Sequence, residues 1–89
     1  MNYFTYMVRC ADDTLYTGIT TDLDRRMDEH NGLSKEKKGA KYTAARRPVV
    51  LVFSAEFENR SAASKEEARI KKLPRAQKET YIKNSSQHI

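Results

Sequence analysis

Residues 3–8, Tyr-Phe-Thr-Tyr-Met-Val, concentrate β-branched and aromatic side chains and predict a first strand. Asp12 and Asp13 supply turn chemistry after it, and Leu15-Tyr16-Thr17 resumes strand character as far as Gly18. Residues 3–18 therefore predict a β-hairpin. The longest unbroken apolar run, residues 49–53, is bounded by Pro48 and Ser54 and is too short for a helix. It predicts a third strand buried on both faces. Between these strands, Thr20 or Thr21 is placed to cap a helix with Asp22 and Asp24 in its first turn. That helix should run to about His30 and stop at Asn31-Gly32. Ser61 is placed to cap a second helix over residues 62–73, and Pro74 fits the first turn of a third that ends near Lys83. Residues 84–89 lack a core-forming pattern and are expected to fray. The order β-β-α-β-α-α predicts an α+β fold: a three-stranded antiparallel sheet flanked by helices, in one domain over residues 1–83.

Composition narrows the class of partner. The 89 residues leave room for one domain, and 17 Lys+Arg against 12 Asp+Glu give a net charge of +5. That balance favours a polyanion. The cations are clustered: Arg25, Arg26, Lys35, Lys37, Lys38, Lys41, Arg46 and Arg47 crowd residues 25–47, and more follow over residues 65–83. Residues 1–24 hold only Arg9. Three basic segments in one small domain point to nucleic acid. No apolar run approaches the roughly 20 residues of a membrane span. Met1-Asn2-Tyr3-Phe4 has neither a basic nor an apolar leader region, so no secretory signal is expected. A single cysteine, Cys10, allows no internal disulfide and no thiolate zinc cluster, and it suits a reduced, cytoplasmic setting.

Candidate chemistry begins on the first helix. At about 100° per residue, Leu23 and Met27 share a core-facing stripe. Arg26 and His30 stand along one edge of it, and Arg25 falls near the opposite side. A guanidinium beside an imidazole on a half-buried edge suits a phosphate. The same spacing also suits an arginine that only snorkels and a histidine that only satisfies helix-end carbonyls.

Taken together, Phe4-Thr5-Tyr6, Leu15-Tyr16-Thr17-Gly18, Asp22-Leu23-Asp24-Arg25-Arg26 with His30, and Glu67-Ala68-Arg69-Ile70 resemble the core of the GIY-YIG nuclease superfamily. Leu15-Tyr16-Thr17-Gly18-Ile19 and Gly39-Ala40-Lys41-Tyr42-Thr43 resemble its small stand-alone bacterial branch. Phe4, Thr5 and Thr17 depart from the named signature. The resemblance implies a central first strand and a catalytic set of Tyr6, Tyr16, Arg26 and His30. Tyr16 or His30 would then be the base, and Tyr6 would position it or the water. Glu67 would be the ligand of one divalent metal, Mg²⁺ or Mn²⁺, although periodicity alone places Glu66 and Glu67 equally well. Gly18, Lys41, Tyr42, Arg46 and Arg47 would bind substrate or its phosphates. The implied activity is metal-dependent endonucleolytic hydrolysis of DNA in repair or recombination. A domain this small offers little surface for reading a long sequence, so a preference for branched or nicked DNA, or a protein partner, is expected to supply specificity. A non-catalytic nucleic-acid-binding module on the same fold is the alternative reading. A protein-interaction domain with merely solubilising basic loops is a weaker third.

Overall fold

The computed structural model describes residues 2–33 and 41–86. The hairpin forms as expected from β1 (Tyr3–Arg9) and β2 (Leu15–Thr20), and β3 (Val50–Phe57) adds to the other side of β1. Both pairings are antiparallel, in the order β2-β1-β3, so β1 is central. Alternation along β1 sorts its side chains onto two covered faces. Tyr6 and Val8 pack with Cys10, Val49, Leu23 and Met27. Met7 packs with Phe53 and Ile70, backed by Tyr81 and Ile82. Thr5 and Thr17, two departures from the family signature, are both buried. Thr5 Oγ1 donates to the Ala63 carbonyl at 2.7 Å, so its hydroxyl is satisfied where an apolar side chain would need no partner.

Helix α1 (Leu23–His30) is capped by Asp22, whose carboxylate accepts from Arg25 N at 3.0 Å. The expected threonine caps are displaced because the Thr20 hydroxyl accepts from Asp22 N instead, at 3.1 Å. Gly32 ends the helix with φ 74°, a left-handed conformation that favours glycine. Asn31 then pairs with the Val49 backbone through both its amide atoms, at 3.1 and 2.7 Å, fixing the end of α1 against the entry to β3.

Helix α3 (Arg60–Lys71) starts earlier than expected. The Asn59 side chain, and not Ser61, accepts from Ala62 N at 2.9 Å. Helix α4 (Arg75–Ser86) continues to Ser86, past the expected end near Lys83, so residues 84–86 are helical; residues 87–89 lie outside the described residues. A one-turn helix α2 (Lys41–Ala44), absent from the sequence expectation, follows the basic stretch. Residues 34–40, with Lys35, Lys37 and Lys38, lie outside the described residues.

Strand β3 departs from the expectation of burial on both faces. It is longer than residues 49–53 and sits at a sheet edge, leaving Val50 60% and Leu51 36% exposed. Apolarity alone does not tell an inner strand from an outer one.

The hairpin turn is tied to α4 by charge. Arg9 grips Glu79 bidentately at 2.6 and 2.9 Å, and also reaches Asp13 at 2.9 Å. Arg75 donates to Glu79 at 2.9 Å and to the Asp13 carbonyl at 2.7 Å. Much of the positive charge counted from the sequence is therefore paired within the fold. Arg46 meets Asp12, Arg69 meets Glu66 and Lys71 meets Glu67 in the same way.

Arg9 and then Arg75 hold the Glu79 carboxyl down at about 2, against an ordinary 4.5. Its contribution to folding is complete above the unfolded value and is lost as the pH falls towards 2. Glu79→Gln should therefore lower the urea midpoint at pH 7, and the gap from wild type should close progressively between pH 4.5 and pH 2. Denaturation curves at both ends of that window check it.

Candidate active site

The site is built on the sheet face that carries Tyr6. Tyr6 stands opposite Gly18 in the β1–β2 ladder, so both project to the same side. A β-carbon at Gly18 would lie 2.7 Å from the Tyr6 hydroxyl oxygen and 2.9 Å from Cζ. Gly18, expected among the substrate-binding residues, is buried and makes the room into which the Tyr6 ring folds.

The Tyr6 hydroxyl meets two side chains from successive turns of α1. Arg26 Nε donates to it at 3.3 Å, and His30 Nε2 lies 2.7 Å away. His30 Nδ1 lies 2.7 Å from Thr43 Oγ1 on α2. Arg26 is held from its other side by Glu29, which accepts from Nη1 at 2.8 Å. Tyr6, His30, Glu29 and Thr43 are all buried. Arg25 is 56% exposed at its side chain against 21% for Arg26, so the helix phase separates the two arginines as expected.

Burial sets the protonation states. It raises the Tyr6 hydroxyl above its usual range, against the hydrogen bond and positive charge of Arg26. Burial first, then the charge of Arg26, lowers His30 to about 4, so the imidazole is neutral at pH 7. Both ring nitrogens are engaged and the residue has no exposed surface. His30 thus faces Tyr6 and Thr43, and a proton on a water outside cannot reach it directly.

Tyr16 occupies the same face, half-buried, with its ring edge against His30 at 5.3 Å between centroids. Tyr42 stacks on Tyr16 at 5.8 Å, and the Arg46 guanidinium lies 4.1 Å over the Tyr42 ring. Tyr42 is held by both contacts and remains 39% exposed, so part of its surface is open to a ligand. Arg46 also donates to Asp12 at 3.0 Å and to the Tyr42 carbonyl at 2.7 Å. Arg47 Nε donates to the His30 carbonyl at 2.6 Å, with its guanidinium over Gly32. Lys41 is exposed at the start of α2.

On α3 the two adjacent glutamates differ. Arg69 grips Glu66 bidentately at 2.7 and 2.8 Å. Glu67 meets Lys71 through one oxygen at 3.2 Å, and its negative charge reaches Tyr6. Among the described residues, no three His, Cys, Asp or Glu side chains cluster to form a metal cage. One carboxylate still fits a hard divalent ion such as Mg²⁺, which commonly takes one or two carboxylates and completes its shell with water and phosphate oxygens.

Glu29 and Thr43 are the members of this arrangement that the sequence did not single out. A glutamate three residues after an arginine reads as an ordinary surface pair. Thr43 meets His30 only through tertiary structure.

The GIY-YIG catalytic domain model matches residues 2–87. The chain is 52% identical over 83 residues to UPF0213 protein DP2720 of Desulfotalea psychrophila, covering 93% of this chain and 73% of that protein. It is 46% identical to UPF0213 protein YazA of Bacillus subtilis, covering 91% and 78% respectively. Among solved structures, the solution structure of EF2693 from E. faecalis aligns with all of this chain and 91% of its own, at 43% identity and a TM-score of 0.64. That of the UPF0213 protein BH0048 from Bacillus halodurans aligns with 93% and 84%, at 40% identity and a TM-score of 0.58.

His30 gives the site a pH signature that does not depend on activity. Between pH 6.5 and 4 the unfolded chain takes up a proton at this histidine that the folded chain excludes. Stability therefore falls as the pH drops through that window, by about 3 kcal/mol in all if the shift is fully expressed. In urea titrations at pH 7 and pH 5, His30→Gln should flatten this dependence relative to wild type.

Proposed function

This chain belongs to the GIY-YIG catalytic domain family, and on that premise we propose that it is a divalent-metal-dependent endonuclease hydrolysing phosphodiester bonds in DNA. We assign it nicked, flapped or branched substrates, in repair or recombination, with a protein partner adding specificity to a domain too small to read a long sequence. The observation that carries the reading is the buried line Glu29–Arg26–Tyr6–His30, which fixes a guanidinium at the rim of a tyrosine-lined site.

Hydrolysis of a phosphodiester needs a positioned water, compensation for charge on the phosphoryl oxygens and help for the leaving oxygen. Arg26, held between Tyr6 and Glu29 yet partly exposed, is placed to meet the phosphoryl charge. Tyr6 is buried and its hydroxyl is committed to Arg26 and His30, so its part is to position. Tyr16 is the more accessible tyrosine, and its hydroxyl makes no hydrogen bond among the described residues. That makes it the better candidate to take the proton of an attacking water. Glu67 would hold the metal ion, which supplies Lewis-acid stabilisation of the leaving oxygen when bound. Lys41 and the outer edges of Arg46 and Arg47 would meet flanking phosphates. No helix among the described residues is long and apolar enough to cross a membrane.

A cleavage panel of single-stranded, nicked, flapped and branched DNA with Mg²⁺ or Mn²⁺ tests this directly. Metal-dependent cleavage of at least one structure is expected. A gel shift without cleavage would assign the fold to binding alone. Arg26→Ala should slow single-turnover cleavage about 10²–10³-fold, whereas Arg25→Ala should leave that rate near wild type and only weaken binding. Glu67→Gln should abolish metal-dependent cleavage, with Glu66→Gln nearly silent.

A further inference from the structure

The protons in the buried line can be placed by donor and acceptor accounting. The Tyr6 hydroxyl has one proton to give and two side-chain partners, Arg26 and His30. Arg26 is a donor only and cannot take that proton. The Tyr6 proton therefore goes to His30 Nε2, which must be the unprotonated nitrogen of a neutral ring. The ring proton is then on Nδ1, where Thr43 Oγ1 lies 2.7 Å away and accepts it.

The opposite tautomer breaks the line. With the proton on Nε2, His30 would donate to the Tyr6 oxygen, and the Tyr6 proton would point at a guanidinium that cannot accept it. The Tyr6 oxygen could still accept from Arg26, but its own proton would be buried without an acceptor, which is the cost of that tautomer. We infer that Thr43 is a positioning residue: by accepting from Nδ1 it supports the Nδ1–H tautomer that the Tyr6 proton requires, which aims the Tyr6 hydroxyl at Nε2 and leaves its oxygen to accept from Arg26. It acts across two intervening side chains and touches no reacting atom. The catalytic part of this inference rests on the role proposed for Arg26; the tautomer does not.

Long-range ¹H–¹⁵N correlation of the His30 ring reads the tautomer directly, with or without any nuclease activity. Wild type and Thr43→Ser should show a protonated Nδ1 and an unprotonated Nε2. Thr43→Val, which replaces the hydroxyl with a methyl of similar size, should shift the ring towards Nε2–H. A wild-type ring protonated at Nε2, or an Nδ1–H ring unchanged in Thr43→Val, overturns the inference, and the wild-type spectrum decides even if the valine variant does not fold. If DNA is cleaved, Thr43→Val should lower kcat about 10–100-fold, as loss of an orienting partner does elsewhere. KM should hardly change, and Thr43→Ser should keep most of the rate. An unchanged kcat in a variant whose tautomer has shifted refutes the positioning role, while absence of cleavage by wild type on every substrate refutes the nuclease reading and leaves the tautomer result standing.

Discussion

The hydroxyl of Tyr6 is the atom on which this structure depends. It is the polar point where the central strand meets two turns of α1, through Arg26 and His30, beside the apolar contacts of Leu23 and Met27. Buried polar groups of this kind are costly unless every one is satisfied, and stabilising when they are. The fold satisfies them from four directions: Arg26 and His30 on α1, Thr43 on α2, and Glu29 as the counter-charge of Arg26. An arginine lowered towards a core without that carboxylate would carry an uncompensated charge into low dielectric. Glu29 is thus as much a part of the site as Arg26.

Charge elsewhere is organised differently. Along the outer side of the fold, carboxylates and guanidinium groups are paired into a clasp that joins the hairpin turn to α4. Isolated exposed pairs contribute little, but here one carboxylate is shared by two arginines already held by Asp13. Pairing cancels charges in equal numbers, so the net charge of +5 remains. Among the described residues, Lys41 on α2 and Arg60, Lys65, Lys72 and Lys78 on or beside α3 and α4 make no ion pair, so the charge that reaches a polyanion is spread over both regions.

The sequence made the architecture legible because hydrophobic periodicity and turn chemistry acted locally. The hairpin, the phase of α1 and the Asn31-Gly32 stop all follow from neighbours within a few residues. The misplaced caps show the limit of that logic. Asp22 and Asn59 cap the helices in place of Thr20, Thr21 and Ser61, a choice among neighbouring capping residues that composition does not decide. The edge position of β3 was illegible because strand order is a property of the assembled sheet. At the site, Tyr6, Tyr16, Arg26, His30 and Glu67 stood out through a motif, whereas Thr43 comes to His30 only when α2 folds back on α1. The pattern also indicated which residue types gather, without indicating that Tyr42 would be held between Tyr16 and Arg46.

The pairing of Tyr6 with Gly18 has a consequence for how this family can change over time. A methyl at position 18 would occupy the space of the Tyr6 hydroxyl, so the two positions share one small volume. Loss of the hydroxyl at position 6 would not free that volume, because Cζ and Cε1 still lie 2.9 and 3.2 Å from the added β-carbon, and it would leave His30 Nε2 without its partner. Positions 6 and 18 therefore constrain each other through one small volume: a side chain at 18 can be accepted only where the ring at 6 is smaller or turned away.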